Sequence, residues 1–523
     1  MVSTHGVQFA AHLISSFYGD LCSKVCECLL LRGNLTLLQI TQSTELTREN
    51  VINCLRVLIH QNCVQAFSTI KEGSFGEAPR TLTQYMALFD NIIHKLRAPK
   101  FMQIVSEELG KDCVGIFQGL VQHGRLSFKQ ITERNEDTTG RSDIHVVQEN
   151  FNKLLSARFI ERCPAPDPFL APPSEDENAS KKRGPKSKIA EKPQSTEERA
   201  LAAAAPMESM RFLMEMDDVA EKDDEESTNK PGKKRKHGLL RLDEDVLDSD
   251  KKKEVLWRVN SEEFIRRLRN KACLSYVKAK LNDEAGIVLN AVLELSAQSD
   301  NRPKIEKTPY LSLNAIIEEV IKKEDGLGMN LDRIEFSLKD LGCETLSVGL
   351  EDSYSIDIKG IIEMAQNEEV ESVVLKRYGI EAYRIYRLLS KANRFCETDK
   401  ISDSTFVEKK DALKILYTLW KSKYLHMEIA TTTGGARQMQ FMLWRVYKQA
   451  LWELFLDEMY HAALNLRLRN ARVEEQAKEV SQLPKEKLVG ELAKKYERVR
   501  RVRVILGTSL IDLDDVIMLF HDF

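Results

Sequence analysis

One nine-residue pattern occurs twice in the first third of the chain, as RGNLTLLQI at 32–40 and HGRLSFKQI at 123–131. In both copies a glycine is followed by leucine, a hydroxyl residue and then Gln-Ile at identical spacing. A repeated local pattern sets the same folding problem twice, so both copies are expected to form one kind of unit. An amphipathic helix precedes each copy. Before the first, Leu13, Phe17, Leu21, Val25 and Cys28 recur at three- and four-residue steps, which predicts one apolar helix face. A second matched pattern follows: Val51, Leu55, Leu58, Ile59, Cys63 and Val64 align with Val147, Phe151, Leu154, Leu155, Phe159 and Ile160. The unit therefore reads as helix, glycine turn, short helix, longer helix and extended stretch, with the hydroxyl residue placed to N-cap the short helix.

The longer-helix pattern returns further on. Ala412, Leu416, Leu419, Trp420, Tyr424 and Leu425 repeat it after the helix SVVLKRYGIEAYRIYRLLS (372–390), and Ile334, Leu338 and Leu341 form a weaker copy. That copy follows helices at 261–282 and 308–322 and continues as GCETLSVGLEDSYSIDIKG, whose alternation predicts a two-stranded hairpin. QAFSTIKEGSFGEAPRTLTQY has the same strand, glycine turn and strand character after the first copy. Three helices followed by a two-stranded wing define a winged helix. The fold class is thus mainly α: four tandem winged helices at 1–80, 81–163, 255–365 and 366–435, with the rest of the chain arranged around them.

Between 171 and 254 the chain holds 21 acidic and 18 basic side chains and one aromatic, Phe212. So little apolar surface does not offset ordering entropy, so 164–254 is expected to be a disordered charged linker separating the two halves. From 436 to 523 the chain reads as an antiparallel coiled coil broken near Pro484. Its first helix would carry Phe441, Trp444, Tyr447, Leu451 and Phe455. In its second, Leu492, Tyr496, Val499, Leu506, Leu510, Leu513, Ile517 and Phe520 keep a seam spacing. Leu506, Leu510, Leu513, Ile517 and Phe520 are the candidate partner-binding residues, packing on the first helix, on a partner chain, or on both.

The net charge over 523 residues is only -3, so any nucleic-acid partner must be met by local patches. No apolar run of 18 residues and no leader-like start occurs, so an intracellular protein without a membrane span is expected. The ten cysteines form no C-x-x-C pair. Cys22, Cys26 and Cys28 cluster on one helix, where small core hydrophobes are the better reading than metal ligands. Phosphate-loop, dinucleotide and H-E-x-x-H patterns are all missing. Asp243, Asp245, Asp248 and Asp250 alternate as Mg²⁺ ligands do, but in the linker they have no apolar frame, and Asp512, Asp514 and Asp515 read as a polar helix face. Neither an active site, a cofactor nor a small-molecule substrate is expected. Phosphate-type contacts are assigned to Arg266, Arg267 and Lys278 in the basic run 258–280, and to Lys410, Lys414 and Lys421 in the fourth unit. Lys181, Lys182 and Arg183, then Lys233, Lys234, Arg235 and Lys236, have the form of nuclear localisation signals.

In their order, these features resemble the large winged-helix subunit family of eukaryotic RNA polymerase III. The segments VLWRVNSEEFIRRLRNKA (255–272), ESVVLKRYGIEAYRIYRLLSKA (371–392) and RFIERCP (158–164) carry the resemblance most strongly, and it covers nearly all of the chain outside the linker. It implies a nuclear, non-catalytic subunit that forms a trimer with two smaller subunits on the clamp of the largest one. There it would help open and hold promoter DNA, without sequence specificity, for transfer RNA and 5S ribosomal RNA synthesis. The aspartate motif NADFDGD of the largest subunit is absent. Two other readings compete. A factor resembling transcription factor IIE would need a zinc ribbon in its large chain, and a scaffold subunit of a lid-type complex would carry its winged helix last.

Overall fold

The computed structural model describes residues 2–71, 80–139, 144–170, 195–214, 254–299, 305–323, 326, 328–348, 351–434, 437–481 and 490–523. It divides into two compact units, Leu13–Ser261 and Glu262–Phe523, with Met1–His12 grouped with the latter.

The repeat found in the sequence is a capping box. Thr36 accepts from the Gln39 backbone N–H at 3.4 Å while its own N–H donates to the Gln39 side chain at 2.9 Å. Ser127 and Gln130 repeat this at 3.4 and 3.1 Å. Two of the donors orphaned at each short helix's start are thereby satisfied. The isoleucine after each glutamine, Ile40 or Ile131, is buried. Ile316 and Ile401 take the same place in the third and fourth units, after Ser312 and Glu397 at the cap position.

A second device marks all four units. The second residue after the third helix is left-handed each time: Asn62, Arg158, Gly342 and Lys423 have φ of 58°, 60°, 68° and 63°. The next N–H reaches back five residues to a helix carbonyl, Cys63 to Leu58, Phe159 to Leu154, Cys343 to Leu338 and Tyr424 to Leu419. That bond satisfies an orphan carbonyl and turns the chain into the wing.

A third device was not visible in the periodicity. In three units a leading helix precedes the first winged-helix helix, and a glycine breaks the two apart. Gly19, Gly110 and Gly379 have φ near 88°, 90° and 86° with extended ψ, a conformation closed to residues with a Cβ. The break corrects the expected continuous helix: Leu13 and Val25 are buried, but Phe17 and Leu21 are thrown to the surface at 49% and 47% exposure.

In the N-terminal unit, the first winged helix comprises helices Asp20–Arg32, Leu37–Thr44 and Arg48–His60 and wing strands Val64–Lys71 and Arg80–Ala87. The second comprises Lys111–His123, Phe128–Thr139 and Ile144–Ser156. Its wing is split. Strand Ile160–Arg162 pairs antiparallel with Leu256–Val259, and Leu256–Trp257 also pairs with Leu126–Ser127. The strand Leu256–Val259 lies beyond the expected linker and was assigned to the third unit. Trp257 explains why it returns: the indole is fully buried, edge-on to Phe151 of the third helix at 5.3 Å. The chain thus leaves this sheet after Arg162 and rejoins it at Leu256.

Parts of the intervening segment are ordered, against the expectation for 164–254. Phe169–Leu170 pairs parallel with the first unit's wing at Ser68 and Thr69. Helix Thr196–Ala204 places Ala200 with Phe67, Met86 and Leu170 in one buried cluster. Arg211 donates to the buried Glu161 at 2.6 Å, and Arg158 and Arg211 flank the Phe212 ring at 5.4 and 5.3 Å. Sparse apolar residues suffice here because they dock on wings already formed. The stretches 171–194 and 215–253 lie outside the described residues.

The C-terminal unit opens with helix Ser261–Lys280 and the third winged helix: Asp283–Ser299, Leu313–Ile321, Leu331–Asp340 and wing strands Glu344–Val348 and Glu351–Ser355. That wing was expected. The helix Ile358–Tyr378 leads into the fourth winged helix, with helices Ile380–Ala392, Thr398–Thr405 and Lys409–Lys421. The wing of this unit pairs His426–Gly434 with Arg437–Arg445, so Phe441 and Trp444 lie on a strand rather than a coil helix. Trp444 is buried and donates to Thr398 at 2.9 Å. The coil proper is Lys448–Ser481 against Glu491–His521. Near the N-terminus, His5 docks on the coil through Asp457 at 2.7 Å.

Candidate nucleic-acid and partner surfaces

A winged helix meets DNA most often through its third helix, so the four third helices are compared first. The helix Arg48–His60 carries Arg48 and Arg56 against Glu49, and Ile144–Ser156 has Lys153 paired to Glu149 at 2.8 Å. The helix Leu331–Asp340 is more acidic than basic, with Arg333 bound to Glu284. Only Lys409–Lys421 is markedly basic, with four lysines and one aspartate.

On that helix Ala412, Leu416 and Leu419 face the core. Lys410, Lys414, Tyr417 and Lys421 stand opposite at four-, three- and four-residue steps, forming one exposed line. Lys410 and Lys421 have no ion-pair partner among the described residues, while Asp411 holds Lys414 at 2.9 Å and raises its ammonium pKa. Tyr417 is 55% exposed and lies 5.3 Å from Trp420, ring to ring. Sequence periodicity placed Trp420 in the core, yet it stands at the edge of this outer face beside Leu413. Charges that suit phosphates and two exposed aromatic faces therefore share one helix surface.

The other basic run does not form a patch. Arg266 and Arg267 both donate to Glu263, at 2.9 and 3.0 Å, so a buried carboxylate already holds both guanidinium groups. Arg269 is buried, Arg258 is bound to Glu161 at 2.8 Å, and Lys280 to Glu368 at 2.8 Å. Lys278 is exposed, with its stem along Gly286. Helix spacing already sets Glu263 three and four residues before Arg266 and Arg267, whereas the pairing of Arg258 with Glu161 and of Lys280 with Glu368 is made only by the fold.

The expected coil seam is filled from within the chain. Leu506 and Ile517 are buried, and Phe520 packs edge-on against Phe455 at 5.3 Å and Trp452 at 6.4 Å. Leu510, Leu513 and Phe520 are half-buried. Leu519 and Phe523 extend onto the third unit's core, and Gln366 donates to the Leu519 carbonyl at 2.8 Å. The seam thus packs at least in part on the first coil helix, one of the faces expected for it, and leaves Leu510, Leu513 and Phe520 half-buried.

Among the described residues no group of three His, Cys, Asp or Glu side chains is placed to hold a metal ion. Burial pushes the Cys22 thiol up to about 12 and Cys63 to about 11, which favours the protonated thiol over the nucleophilic thiolate. Asp243, Asp245, Asp248 and Asp250 lie outside the described residues, as do Lys181, Lys182, Arg183, Lys233, Lys234, Arg235 and Lys236. No helix among the described residues is long and apolar enough to cross a membrane.

The four winged-helix units among the described residues, one of them presenting a basic and aromatic third helix, define a tandem winged-helix protein. Family comparison narrows the class. A family model described as RNA polymerase III subunit RPC82 matches residues 149–370, its helix-turn-helix domain matches 8–69, and a POLR3C C-terminal winged-helix domain matches 370–446. The chain is 23% identical to "DNA-directed RNA polymerase III subunit rpc3" of Dictyostelium discoideum, covering 98% of this chain and 99% of that one. It is 23% identical to the subunit RPC3 of Danio rerio and 21% to that of Homo sapiens, each over 88% of this chain and 83% of the relative. The chain belongs to the RPC82 family of RNA polymerase III subunits.

Proposed function

We propose that the chain is a non-catalytic, nuclear subunit of RNA polymerase III that supports promoter opening and initiation of small-RNA synthesis. Its partners are two smaller subunits of a trimer and the clamp of the largest subunit. It also touches promoter DNA without sequence preference. The observation that carries the DNA contact is the outer line of the fourth unit's third helix. Lys410, Lys414 and Lys421 are placed for phosphates, and Tyr417 with Trp420 offers rings on which unpaired bases stack. Lysines alone would grip any duplex; exposed rings add affinity for a strand already unpaired, which is what opening produces. Three phosphate contacts predict a salt slope of about 2.7, at roughly 0.9 per phosphate.

Affinity purification of the tagged chain with mass spectrometry tests the assembly. Polymerase III subunits in stoichiometric amount are expected, and lid-type subunits instead would overturn the reading. The purified chain alone is expected to incorporate no nucleotide in a template-dependent assay. Product that follows the protein peak and requires Mg²⁺ would contradict the non-catalytic assignment.

A further inference from the structure

We propose that the outward face of the second coil helix, Lys494, Arg498, Arg501, Val504, Ile505 and Ile511, docks an acidic segment of another polypeptide. The proposal takes from the proposed function only that the chain works within an assembly. Lys494, Arg498, Arg501 and Ile505 follow one another at four-, three- and four-residue steps, so they form a single line along the helix. That line lies away from Leu506 and Ile517, whose side is closed by the first coil helix. The outward side is bare. Val504, Ile505 and Ile511 are 59%, 56% and 54% exposed, three β-branched aliphatics on one solvent-facing stretch.

The charges on this helix are sorted. Lys494, Arg500 and Arg503 have carboxylate partners in Glu491, Glu497 and Glu474. Arg498 and Arg501 have none among the described residues. Exposed guanidinium groups without a carboxylate partner among the described residues adjoin uncovered aliphatic side chains, in that order along the helix. The matching occupant carries clustered carboxylates next to a short apolar stretch, the carboxylates meeting Arg498 and Arg501 as bidentate partners. A nucleic-acid strand fits less well, because it would satisfy the arginines and leave all three aliphatics in water, with no ring on that line to stack a base.

Photo-crosslinking tests this. Benzoylphenylalanine replaces Ile505 in the full chain, the polymerase is purified through a tag on that chain, irradiated, and the joined peptides are sequenced. The expected product joins residue 505 to one peptide with clustered Asp and Glu beside apolar residues. Arg498→Glu with Arg501→Glu should lower its yield at least tenfold, and Arg498→Lys with Arg501→Lys, which keeps the charge but loses the bidentate geometry, should lower it less. Crosslinks to nucleic acid, to a segment without clustered acids, or to nothing while the polymerase still co-purifies would overturn the proposal. Insensitivity to the double charge reversal would do so too. Failure of the polymerase to co-purify with the unmodified tagged chain would instead count against the proposed function, so the two failures are distinguishable. Circular dichroism of the variants confirms that the coil remains helical.

Discussion

The first and fourth winged helices share a backbone plan and use it for opposite ends. Both have a glycine-broken pair of helices, a third helix closed by a left-handed residue and a continuous wing. In the first, the end of the third helix is a joint. Gln61 donates to the Gln122 carbonyl at 3.1 Å, Arg125 donates to Asn62 at 2.9 Å, and Lys95 donates to Gln61 at 2.8 Å. Burial holds the Lys95 and Arg125 pKa values below their usual range, as befits cations enclosed in a contact. In the fourth, the third helix presents lysines and aromatic rings to solvent. One surface is consumed in holding a neighbouring unit, and the other is left free to meet something outside the chain. A winged helix is thus not a DNA reader by virtue of its fold; the side chains on its third helix decide its use.

The largest expected effect tests how tightly the N-terminal pair is tied. Trp257→Ala removes a fully buried indole from a strand that closes the second unit's wing, and should cost about 4 kcal/mol. Hydrogen exchange should rise in 144–162 and stay unchanged in 283–340. Loss of protection in 283–340 instead would return Trp257 to the third unit.

Gly124→Ala comes next. A Cβ there would lie 2.3 Å from the His60 carbonyl oxygen, and φ is already 82°, so strain and clash together should cost about 3 kcal/mol. Gly33→Ala at the repeat's first copy meets nothing within 4 Å and should cost about 1 kcal/mol from backbone strain alone. Equal losses in denaturant titrations would mean that Gly124 is not part of a joint.

Lys410→Ala, Lys414→Ala and Lys421→Ala together should weaken DNA binding at least tenfold, about 1.4 kcal/mol. The salt slope should fall as well, whereas Arg48→Ala with Arg56→Ala should leave it unchanged. A slope that responds to the arginine pair as it does to the lysine triple would erase the contrast between the two helices. The smallest effect is stabilising. Lys423→Gly relieves a left-handed residue at the turn into the wing and should add about 1 kcal/mol to the stability of the fourth unit, read as a raised denaturation midpoint.

What the sequence displayed was the part of each unit written locally. Leu-Thr-x-x-Gln-Ile and Leu-Ser-x-x-Gln-Ile were recognisable because N-cap, reciprocal glutamine and core isoleucine lie within six residues. The third and fourth copies, LSLNAI (311–316) and CETDKI (396–401), keep the isoleucine but replace the glutamine with Ala315 and Lys400. Without the reciprocal half of the capping box they escaped detection. The return of Trp257 to the second wing was invisible because strand pairing across residues 163–255 leaves no periodic trace. Phe17 and Leu21 kept helical spacing across Gly19, so only the glycine, not the pattern, signalled the break. The segment QMQFMLWR (438–445) is made of helix formers, and its strand assignment depends on register with His426–Gly434. At the candidate site the lysines were legible and the rings were not, because Trp420 occupies a position filled by Ile59 and Leu155 in the first two units.

The most direct test of the central claim separates opening from synthesis. Polymerase III carrying Lys410→Ala, Lys414→Ala, Tyr417→Ala and Lys421→Ala in this chain is compared with wild type on a closed promoter and on a tailed template already single-stranded at its start. The account predicts at least a tenfold loss of promoter-dependent transcript and of permanganate-reactive thymines, with extension on the tailed template unchanged. Equal activity on the closed promoter, or equal loss on both templates, would contradict a role for this surface in initiation.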